Sequence, residues 1–269
     1  MIIHFFQQDR IPSIRHCVFA HYDKSNSVAD YVHHYLLSLK EAGFQTIFVS
    51  TSESIEEKSI ERLKATCIAA CTRPNRGYDF GSYKKGIELL KSKNIETETL
   101  LLANDSVYGP FFSLESIISK WEFGEFDVMG LTDSYDPAYH IQSYFLLFNR
   151  PALRSDAFNS FWDNVGLIND DSPNFKRDII LEYEVGGSQA WASNNMRIGA
   201  AFSLKETLTR MFNDFINHEA EKCRVTAYYS HKPHFEARLN QNTSHVHWRE
   251  LIENGFPFIK KELLTKNPL

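Results

Sequence analysis

The chain has 269 residues, of which 43% are hydrophobic and 23% are charged, and this composition is typical of a folded globular protein. The length is enough for one large α/β domain. A formal net charge of -5 argues against a nucleic-acid partner, because a surface that follows phosphates normally carries an excess of basic residues.

The four cysteines form no CxxC pair and no Cys/His cluster; they are Cys17, Cys67, Cys71 and Cys223. We interpret them as reduced thiols of a cytoplasmic protein rather than as a zinc site. The N-terminal apolar stretch breaks at Gln7 and lacks a basic region, so it does not resemble a signal peptide. No stretch approaches the roughly 20 apolar residues of a transmembrane helix.

The first elements in chain order form a βαβ pattern. Residues 17–20 make a short apolar strand, and residues 46–49 make a second one. Between them, residues 25–27 offer N-cap side chains, apolar residues recur at helical spacing, and Gly43 suits a helix C-cap. This order predicts parallel strands joined by a right-handed crossover.

The following segments continue the alternation of helices and strands. The pattern predicts helices over about 55–65, 80–93, 113–121 and 155–165, and strands in "CIAAC", "LLANDSVYGP", "DVMGLTDS" and "QSYFLLFN". From about residue 178 it predicts mostly helix, with one small strand near Ala227. We therefore predict an α/β fold with a mostly parallel central sheet flanked by helices and a helical C-terminal part.

The strand in "LLANDSVYGP" ends abruptly on Asn104, Asp105 and Ser106. Ligands of open α/β sheets bind at the carboxyl ends of the strands, so this triplet is expected to face a ligand crevice. There, Asp105 is a candidate for holding Mg²⁺ or Mn²⁺ against a diphosphate. The alternative is a plain turn in which Asn and Asp side chains bond nearby amides.

The loop "RPNRGYDFGSYKKGI" precedes that strand by about thirty residues and leads into a helix. Small residues such as Gly77 allow close backbone approach to a ligand, and a helix N-terminus favours an anion. Asn75 and Asp79 alternate with the glycines, while Arg73 adds positive charge. We predict that these four residues help to bind a diphosphate, although a glycine-rich loop alone is a weak signal.

The order of these motifs resembles the nucleotide-sugar-binding half of glycosyltransferases with the GT-A fold. More closely, the chain resembles the rhamnan synthesis F family of polysaccharide-building transferases. The segments that carry this resemblance are "RPNRGYDFGSYKKGI", "LLANDSVYGP", "HIQSYFLLFN", "YEVGGSQ" and "HWRELIENGFPFIKKELLTKNP". It implies one GT-A-like, Rossmann-related domain over 1–269, with a nucleotide-sugar-binding half at about 15–125 and an acceptor-binding half with C-terminal helices at about 126–269.

The resemblance also implies roles for particular residues. Glu184 in "LEYEVGGSQ" corresponds to the catalytic base of inverting relatives, and Gly186 and Gly187 behind it are expected to leave room for an acceptor sugar. Glu182 is the nearest carboxylate that could be mistaken for the base. Asp133, at another predicted strand end, is the second candidate base. The alternative for Glu184 is a solvated glutamate at a helix end.

Binding residues follow from the same resemblance. The donor nucleoside is expected at the end of the first strand, on His21, Tyr22 and Asp23, although residues of a plain turn look much the same. The acceptor sugar is expected on His140, Gln142 and Ser143, which otherwise read as polar residues on the solvent face of a strand.

One departure from the GT-A pattern concerns the metal. "NDS" offers one carboxylate where the usual motif has two, so either another ligand supports Asp105 or cationic side chains replace the metal. His245 is a candidate second ligand; it lies on one face with His247 in a strand but not in a helix. Lys260 and Lys261 are candidates for contacting a phosphate, but lysines in the first turn of a helix are usually solvated.

The expected function is transfer of a sugar from a nucleotide-activated donor to a growing cell-surface polysaccharide of the O-antigen, capsule or rhamnan type. The family name alone favours dTDP-rhamnose as donor, and a polysaccharide or lipid-linked oligosaccharide is the expected acceptor. We expect a cytoplasmic protein with peripheral contact to the inner face of the cell membrane. The alternatives are a catalytically inactive carbohydrate- or nucleotide-sugar-binding module and, less favoured, a sugar-phosphate transferase.

Overall fold

The protein is described by a computed structural model that covers residues 3–6, 14–122, 125–166, 173–217 and 242–266. In these ranges the strands are β1 (Ile3–Phe5), β2 (Arg15–His21), β3 (Gln45–Ser50), β4 (Cys67–Thr72), β5 (Thr99–Asn104), β6 (Val107–Tyr108), β7 (Val128–Ser134), β8 (His140–Ile141), β9 (Phe145–Phe148), β10 (Ile198–Phe202) and β11 (Ile259–Lys260).

The helices of the same ranges are α1 (Asp30–Glu41), α2 (Glu57–Leu63), α3 (Tyr78–Ser92), α4 (Glu115–Glu122), α5 (Arg150–Leu153), α6 (Asp156–Asn164), α7 (Phe175–Ile179), α8 (Gly186–Ser193), α9 (Leu204–Asn217), α10 (Thr243–Val246), α11 (Trp248–Glu253) and α12 (Lys261–Thr265). A π-helical segment, Ile180–Val185, joins α7 to α8.

The central sheet has the strand order β1-β4-β3-β2-β5-β9-β7-β10, and β8 pairs with β7. Strands β4, β3, β2 and β5 are parallel to one another, whereas β1 and β9 are antiparallel to their neighbours. The chain runs from β2 outward to β4 and then returns to the other side of β2 as β5. The strand order therefore reverses between β2 and β5, which is where open α/β sheets bind ligands.

Two apolar clusters cover the two faces of the sheet. In β2, Phe19 points to the cluster that contains α1, and Val18 points to the cluster that contains α3, as the alternation of side chains along a strand requires. Helix α3 approaches β2 closely at Gly86, where an added Cβ would clash with the Val18 side chain. This close packing fixes the position of the loop that precedes α3.

The predicted fold class is confirmed: the protein is α/β, with a mostly parallel sheet flanked by helices. The described part of the tail is mostly helical, as expected, but two details differ. Residues 198–202 form a sheet strand parallel to β7 rather than helix, and Lys260 lies in a two-residue strand rather than in the first turn of a helix. The strand predicted near Ala227 lies outside the described residues.

Three of the four cysteines lie in the described ranges, and all three are buried, namely Cys17, Cys67 and Cys71. Burial raises the pKa of the Cys67 thiol to about 12 and that of Cys71 to about 11, so both stay protonated at neutral pH. Helices long and apolar enough to cross a bilayer are absent from the parts of the chain that the structure describes.

Candidate active site at the strand ends

A polar cavity of about 660 Å³ opens at the carboxyl ends of β2, β3 and β4. Its lining includes Tyr22, Asp23, Thr51, Arg73 and Asn75. Four of these five are predicted donor-site residues, so the structure brings the first-strand end and the glycine-bearing loop to one place. The cavity lies beside the reversal in strand order, where a nucleotide-binding site is expected.

The three residues at the end of β2 differ in what they offer. His21 is 3% exposed, its Nδ1 lies 3.1 Å from Ser50 Oγ, and burial lowers its pKa to about 4. It is therefore a neutral group beneath the cavity. Tyr22 is 48% exposed and presents its ring to solvent. Asp23 Oδ1 accepts hydrogen bonds from the Ser25 amide at 2.8 Å and from Ser27, which hold the turn.

The loop before α3 is held by Arg73. Its guanidinium donates to the Tyr78 carbonyl at 3.2 Å, to Ser82 Oγ at 3.0 Å and to the Arg76 carbonyl. Gly77 has a φ of 72°, in the left-handed region that favours glycine. These contacts give Arg73 a role in shaping the loop, whereas the prediction made it a phosphate ligand; that prediction stays untested.

Asn104 and Asp79, both predicted donor-site residues, contact each other at the centre of the candidate site. Asn104 Nδ2 donates to Asp79 Oδ2 at 2.7 Å, and Asn104 Oδ1 accepts from the Ser106 amide and hydroxyl at 3.1 and 2.6 Å. Burial and then the nearby charge of Asp105 raise the pKa of Asp79 to about 6. Asp79 therefore ionises at a higher pH than an ordinary aspartate.

Asp105 is paired with a cation from the C-terminal part of the chain. Its Oδ2 lies 3.5 Å from Lys261 Nζ and 3.4 Å from the Tyr31 hydroxyl, and Lys261 donates to that hydroxyl at 2.6 Å. Burial lowers the pKa of Lys261, but Asp105 and Tyr31 raise it by more, and its net pKa is raised. Burial raises the pKa of Asp105 by more than Lys261 and Tyr31 lower it, but the 3.5 Å distance and the raised pKa of Lys261 indicate a partly buried ion pair.

The C-terminal strap, which we define as residues 257–261, brings two lysines to this site. Strand β11 pairs antiparallel with β6, and the Lys261 amide donates to the Ser106 carbonyl at 3.0 Å. The strap also explains Gly109, which has a φ of 128° and where an added Cβ would clash with the Pro257 carbonyl oxygen. The glycine of "VYGP" is thus needed for strap docking.

Lys260 reaches the site from the strap and is partly buried. Its Nζ lies 3.6 Å from the centroid of the Tyr144 ring and 3.4 Å from Ser106 Oγ. Burial lowers its pKa to about 8, while Glu184 and Asp79 act in the opposite direction. Both carboxyl groups are therefore close enough for their charges to influence the ammonium.

Glu184 forms the second centre of the site together with His140 and Ser143. Glu184 Oε2 accepts from the Ser143 amide at 2.8 Å and from its hydroxyl, and Oε1 lies 3.5 Å from His140 Nε2. Burial raises the pKa of Glu184, but His140 and Ser143 lower it by more. Glu184 is therefore ionised at neutral pH, and its segment is π-helical, a geometry frequent at functional sites.

The imidazole of His140 is oriented from both sides. Its Nδ1 lies 2.9 Å from the Ala138 carbonyl oxygen, so Nδ1 is the donor there and Nε2 faces Glu184. Burial lowers the pKa of His140, but the Glu184 carboxylate raises it by more, and the net pKa is above the ordinary value. The pair thus approaches an imidazolium–carboxylate ion pair.

Other predicted residues have structural contacts. Asp133 is 2% exposed, and its Oδ1 accepts from the Leu204 amide at 2.7 Å, which caps α9 rather than leaving the carboxylate free as a base. Gln142 is buried and accepts from Thr132 Oγ1 at 2.5 Å. Its role as an acceptor ligand and that of Asp133 as a base stay untested predictions.

The expectation that the glycines behind Glu184 leave room for a sugar was wrong for Gly187. An added Cβ there would lie 2.9 Å from the Phe161 ring, so the position is filled by core packing. Ser188 is fully buried; its hydroxyl donates to the Glu184 carbonyl at 3.0 Å and accepts from the Ile141 amide at 3.1 Å. These residues position Glu184 instead of forming a cavity.

A divalent metal does not fit the donor set that the site presents. The two predicted ligands have different partners: His245 Nε2 lies 3.8 Å from Glu262 and Asp105 lies beside Lys261. His245 is in a helix, so the alternative in which it shares a strand face with His247 does not apply. Groups of three or more His, Cys, Asp or Glu with metal-binding geometry are absent from the described ranges. A cation at Asp105 would also face the Lys261 ammonium.

Sequence reasoning missed four members of this site or undervalued them: Tyr31, Tyr144, Lys260 and Lys261. Tyr31 reads as one more residue on the apolar side of α1, and Tyr144 reads as a core aromatic of "QSYFLLFN". The pair "KK" in "PFIKKELL" was the available signal, because two basic residues follow an apolar run that must dock on the body.

The protein is thus an α/β protein with a polar, charge-rich crevice at the switch point of its sheet. The model of the family described as rhamnan synthesis protein F matches residues 46–227, which is more than half of the chain. The chain belongs to this family.

Two curated relatives are similar in sequence. The virulence protein VirA of Vibrio anguillarum is 30% identical over 213 residues, which cover 75% of this chain and 64% of VirA. The uncharacterized protein y4gN of Sinorhizobium fredii is 29% identical over 147 residues, covering 53% of this chain and 37% of y4gN. The chain therefore spans less than two thirds of the length of either relative.

Solved structures are similar only at low scores. A Desulfovibrio desulfuricans protein described as a nucleotide-diphospho-sugar transferase is 12% identical with a TM-score of 0.41, covering 71% of this chain and 80% of that one. The galactosyltransferase LgtC, solved with donor and acceptor sugar analogs, is 14% identical with a TM-score of 0.36, covering 64% of this chain and 71% of LgtC. These scores are too low to support an argument about the site.

Proposed function

We propose that the protein is a glycosyltransferase that moves a sugar from a nucleotide-activated donor to a polysaccharide acceptor. The observation that carries the proposal is the ionised Glu184, held by His140 and Ser143 and close enough to Lys260 for their charges to interact. A carboxylate base near an ammonium group is what sugar transfer from a diphosphate leaving group requires. Membership of the rhamnan synthesis protein F family supports a role in polysaccharide building.

The donor fits the half of the sheet at about 15–125. The cavity beside Tyr22 and Asp23 is large enough for a nucleoside, with the exposed Tyr22 ring as a stacking surface. The diphosphate then lies toward Gly77 and the Asn104–Ser106 turn, at the start of α3. A helix N-terminus stabilises negative charge at that position.

In the reaction, the acceptor hydroxyl loses its proton to Glu184 while its oxygen forms a bond to the anomeric carbon. The bond from that carbon to the diphosphate oxygen breaks, and its electron pair leaves with the nucleoside diphosphate. His140 and Ser143 position the carboxylate, whose Oε1 faces His140 at 3.5 Å. Attack from the side opposite the leaving group gives an inverted product.

The finer identity of the substrates follows from the family name. We propose rhamnose as the sugar and dTDP-rhamnose as its donor, with a surface polysaccharide or lipid-linked oligosaccharide as acceptor in the half at about 126–269. A lipid-linked acceptor brings the protein to a membrane surface by peripheral contact. His140, Gln142 and Ser143 remain the proposed acceptor-side residues.

The test is turnover of dTDP-, UDP- and GDP-sugars with purified rhamnan as acceptor, measured as release of the nucleoside diphosphate. We expect Glu184→Gln to lower kcat by about 100-fold or more, the range for loss of a general base, while nucleotide binding is unchanged. Glu182→Gln is the matched control because Glu182 is exposed and two residues away. Equal turnover by the Glu184→Gln and wild-type proteins would show that Glu184 is not the base.

A catalytically inactive binding module is the second candidate. The observation in its favour is that Asp105, the only carboxylate of the "NDS" triplet, is already paired with Lys261. A wild-type protein that binds a nucleotide sugar but never releases the nucleoside diphosphate would establish this second function. Analysis of the product for a retained phosphate separates sugar transfer from sugar-phosphate transfer.

A further inference from the structure

Two ion pairs form in the crevice, and the Lys260 ammonium belongs to neither of them. Asp105 pairs with Lys261 at 3.5 Å, and Glu184 pairs with His140 at 3.5 Å. Among the described residues, carboxylate oxygens are absent from the 4 Å around Lys260 Nζ, whose neighbours are the Ser106 hydroxyl and the Tyr144 ring.

A partly buried ammonium without a counter-ion is unfavourable, since desolvation of a charge is expensive unless an opposite charge compensates it. The titratable groups that face Lys260 come from five elements: Asp79 of α3, Glu184 of the π-helical segment, Glu262 of α12, Lys176 of α7 and His245 of α10. Glu184 and Glu262 are already paired with His140 and Lys266, and Asp79 accepts from Asn104 and has its pKa raised to about 6; none of the three carboxyl groups forms an ion pair with Lys260.

The position of this cation coincides with the predicted place of the leaving group. Lys260 contacts Ser106, the last residue of the triplet at the end of β5, and this triplet was the predicted metal and diphosphate site. A divalent cation there would be close to two ammonium groups and to a single carboxylate of the triplet, which Lys261 already pairs with. The site therefore supplies positive charge from its own side chains.

We propose that Lys260 binds the diphosphate of a nucleoside diphosphate and provides the positive charge that a divalent cation would otherwise supply, an inference that rests on the function proposed above. Lys261 and Tyr31 keep Asp105 compensated, so that this carboxylate does not repel the ligand. When the sugar–oxygen bond breaks and the electron pair moves to the diphosphate, Lys260 stabilises the added charge. Donor binding is then independent of divalent metal.

The experiment is calorimetric titration of the full chain with dTDP, UDP and GDP, in EDTA and in Mn²⁺, and with thymidine, uridine and guanosine alone. We expect the preferred nucleoside diphosphate to bind equally well in EDTA and in Mn²⁺. Lys260→Met should weaken it by about 10- to 100-fold, the worth of a hydrogen bond to a charged group, while binding of the free nucleoside is unchanged.

Two controls separate a local effect from misfolding. Lys64→Met removes an ammonium from an exposed ion pair with Glu61, far along the chain from the strap, and should leave all affinities unchanged. Nucleoside binding by Lys260→Met reports that the cavity at Tyr22 is still formed. Lys260→Arg should retain most of the affinity because it keeps the charge.

The outcomes distinguish the two proposals. Nucleoside diphosphate binding that is lost in EDTA, or that is equal in wild-type and Lys260→Met proteins, overturns the role of Lys260 and leaves the proposed function standing. Absence of binding by every nucleotide and nucleoside in both conditions overturns the proposed donor site, and the role of Lys260 fails with it.

Discussion

Asp79 provides a test of the site's electrostatics that needs no substrate. Its pKa is raised to about 6, first by burial and then by Asp105, so the folded protein holds the proton more tightly than the unfolded chain does. As pH rises from about 4 to about 6, the folded state therefore loses stability, because it binds more protons than the unfolded state. Asp79→Asn removes this loss, since its amide does not ionise.

The magnitude follows from the two pKa values. The folded-state pKa of about 6 lies about 2.2 units above the ordinary value of 3.8. At about 1.36 kcal/mol for each pKa unit, complete ionisation of Asp79 costs the fold about 3 kcal/mol. We expect the free energy of unfolding of Asp79→Asn, relative to wild type, to rise by about 2 kcal/mol between about pH 4.5 and about pH 7.5. The pH-independent effect of exchanging the two groups cancels in this comparison.

The assay is urea unfolding of both proteins at the two pH values, followed by tryptophan fluorescence. Asp127→Asn is the matched control: hydrogen bonds from Arg197 lower the pKa of Asp127 to about 2, so its difference in stability from wild type should be nearly the same at the two pH values of the assay. This carboxylate stabilises the fold above about pH 4, and its contribution falls as pH drops toward about 2. A stability difference between Asp79→Asn and wild type that is independent of pH, or that falls as pH rises, would refute the argument.

Three further predictions concern the strap, the loop before α3 and the packing of α3 on β2. Nucleoside diphosphate affinity, measured by calorimetry, should fall as pH rises through about 8 in wild type and not in Lys260→Arg, because arginine stays protonated. Gly81→Ala should lower that affinity by about tenfold or more, since the added Cβ would clash with the Arg76 carbonyl oxygen and displace the loop; an unchanged affinity would show that the loop is remote from the ligand. Gly86→Ala should lower the free energy of unfolding by about 1–3 kcal/mol through its clash with Val18, while the folded protein binds nucleotide normally; a urea midpoint equal to that of wild type would contradict this.

The half of the fold that contains β2 to β5 was predictable because its strands are apolar runs and its helices carry strong periodicity. The tail was not, and β10 shows why. Its sequence "IGAAF" has a glycine and two alanines, so its propensity for strand is weak, and it becomes a strand only because β7 offers a partner edge. Tertiary context of this kind is invisible to local pattern.

The candidate site was predictable in its parts and not in its pairings. Asn104 follows from the rule that ligands lie at strand ends and Asp79 from its place at the start of a helix, but their contact at 2.7 Å was not predicted, and their role in donor binding stays a prediction. By contrast, Lys260 and Lys261 read as solvated lysines, because a two-residue strand gives no periodicity. Their burial depends on the docking of the strap against β6, a contact between segments about 150 residues apart.

The pairing of β6 with β11 also bears on the order in which the protein is made. Lys260 contacts Ser106, which precedes it by 154 residues. The triplet Asn104–Ser106 therefore leaves the ribosome long before Lys260 is synthesised. A nascent chain that has folded β2 to β5 presents the cavity at Tyr22 while its crevice still lacks this cation. In the proposed function, binding of the nucleoside therefore becomes possible during synthesis, whereas stabilisation of the leaving group's charge requires the docked strap.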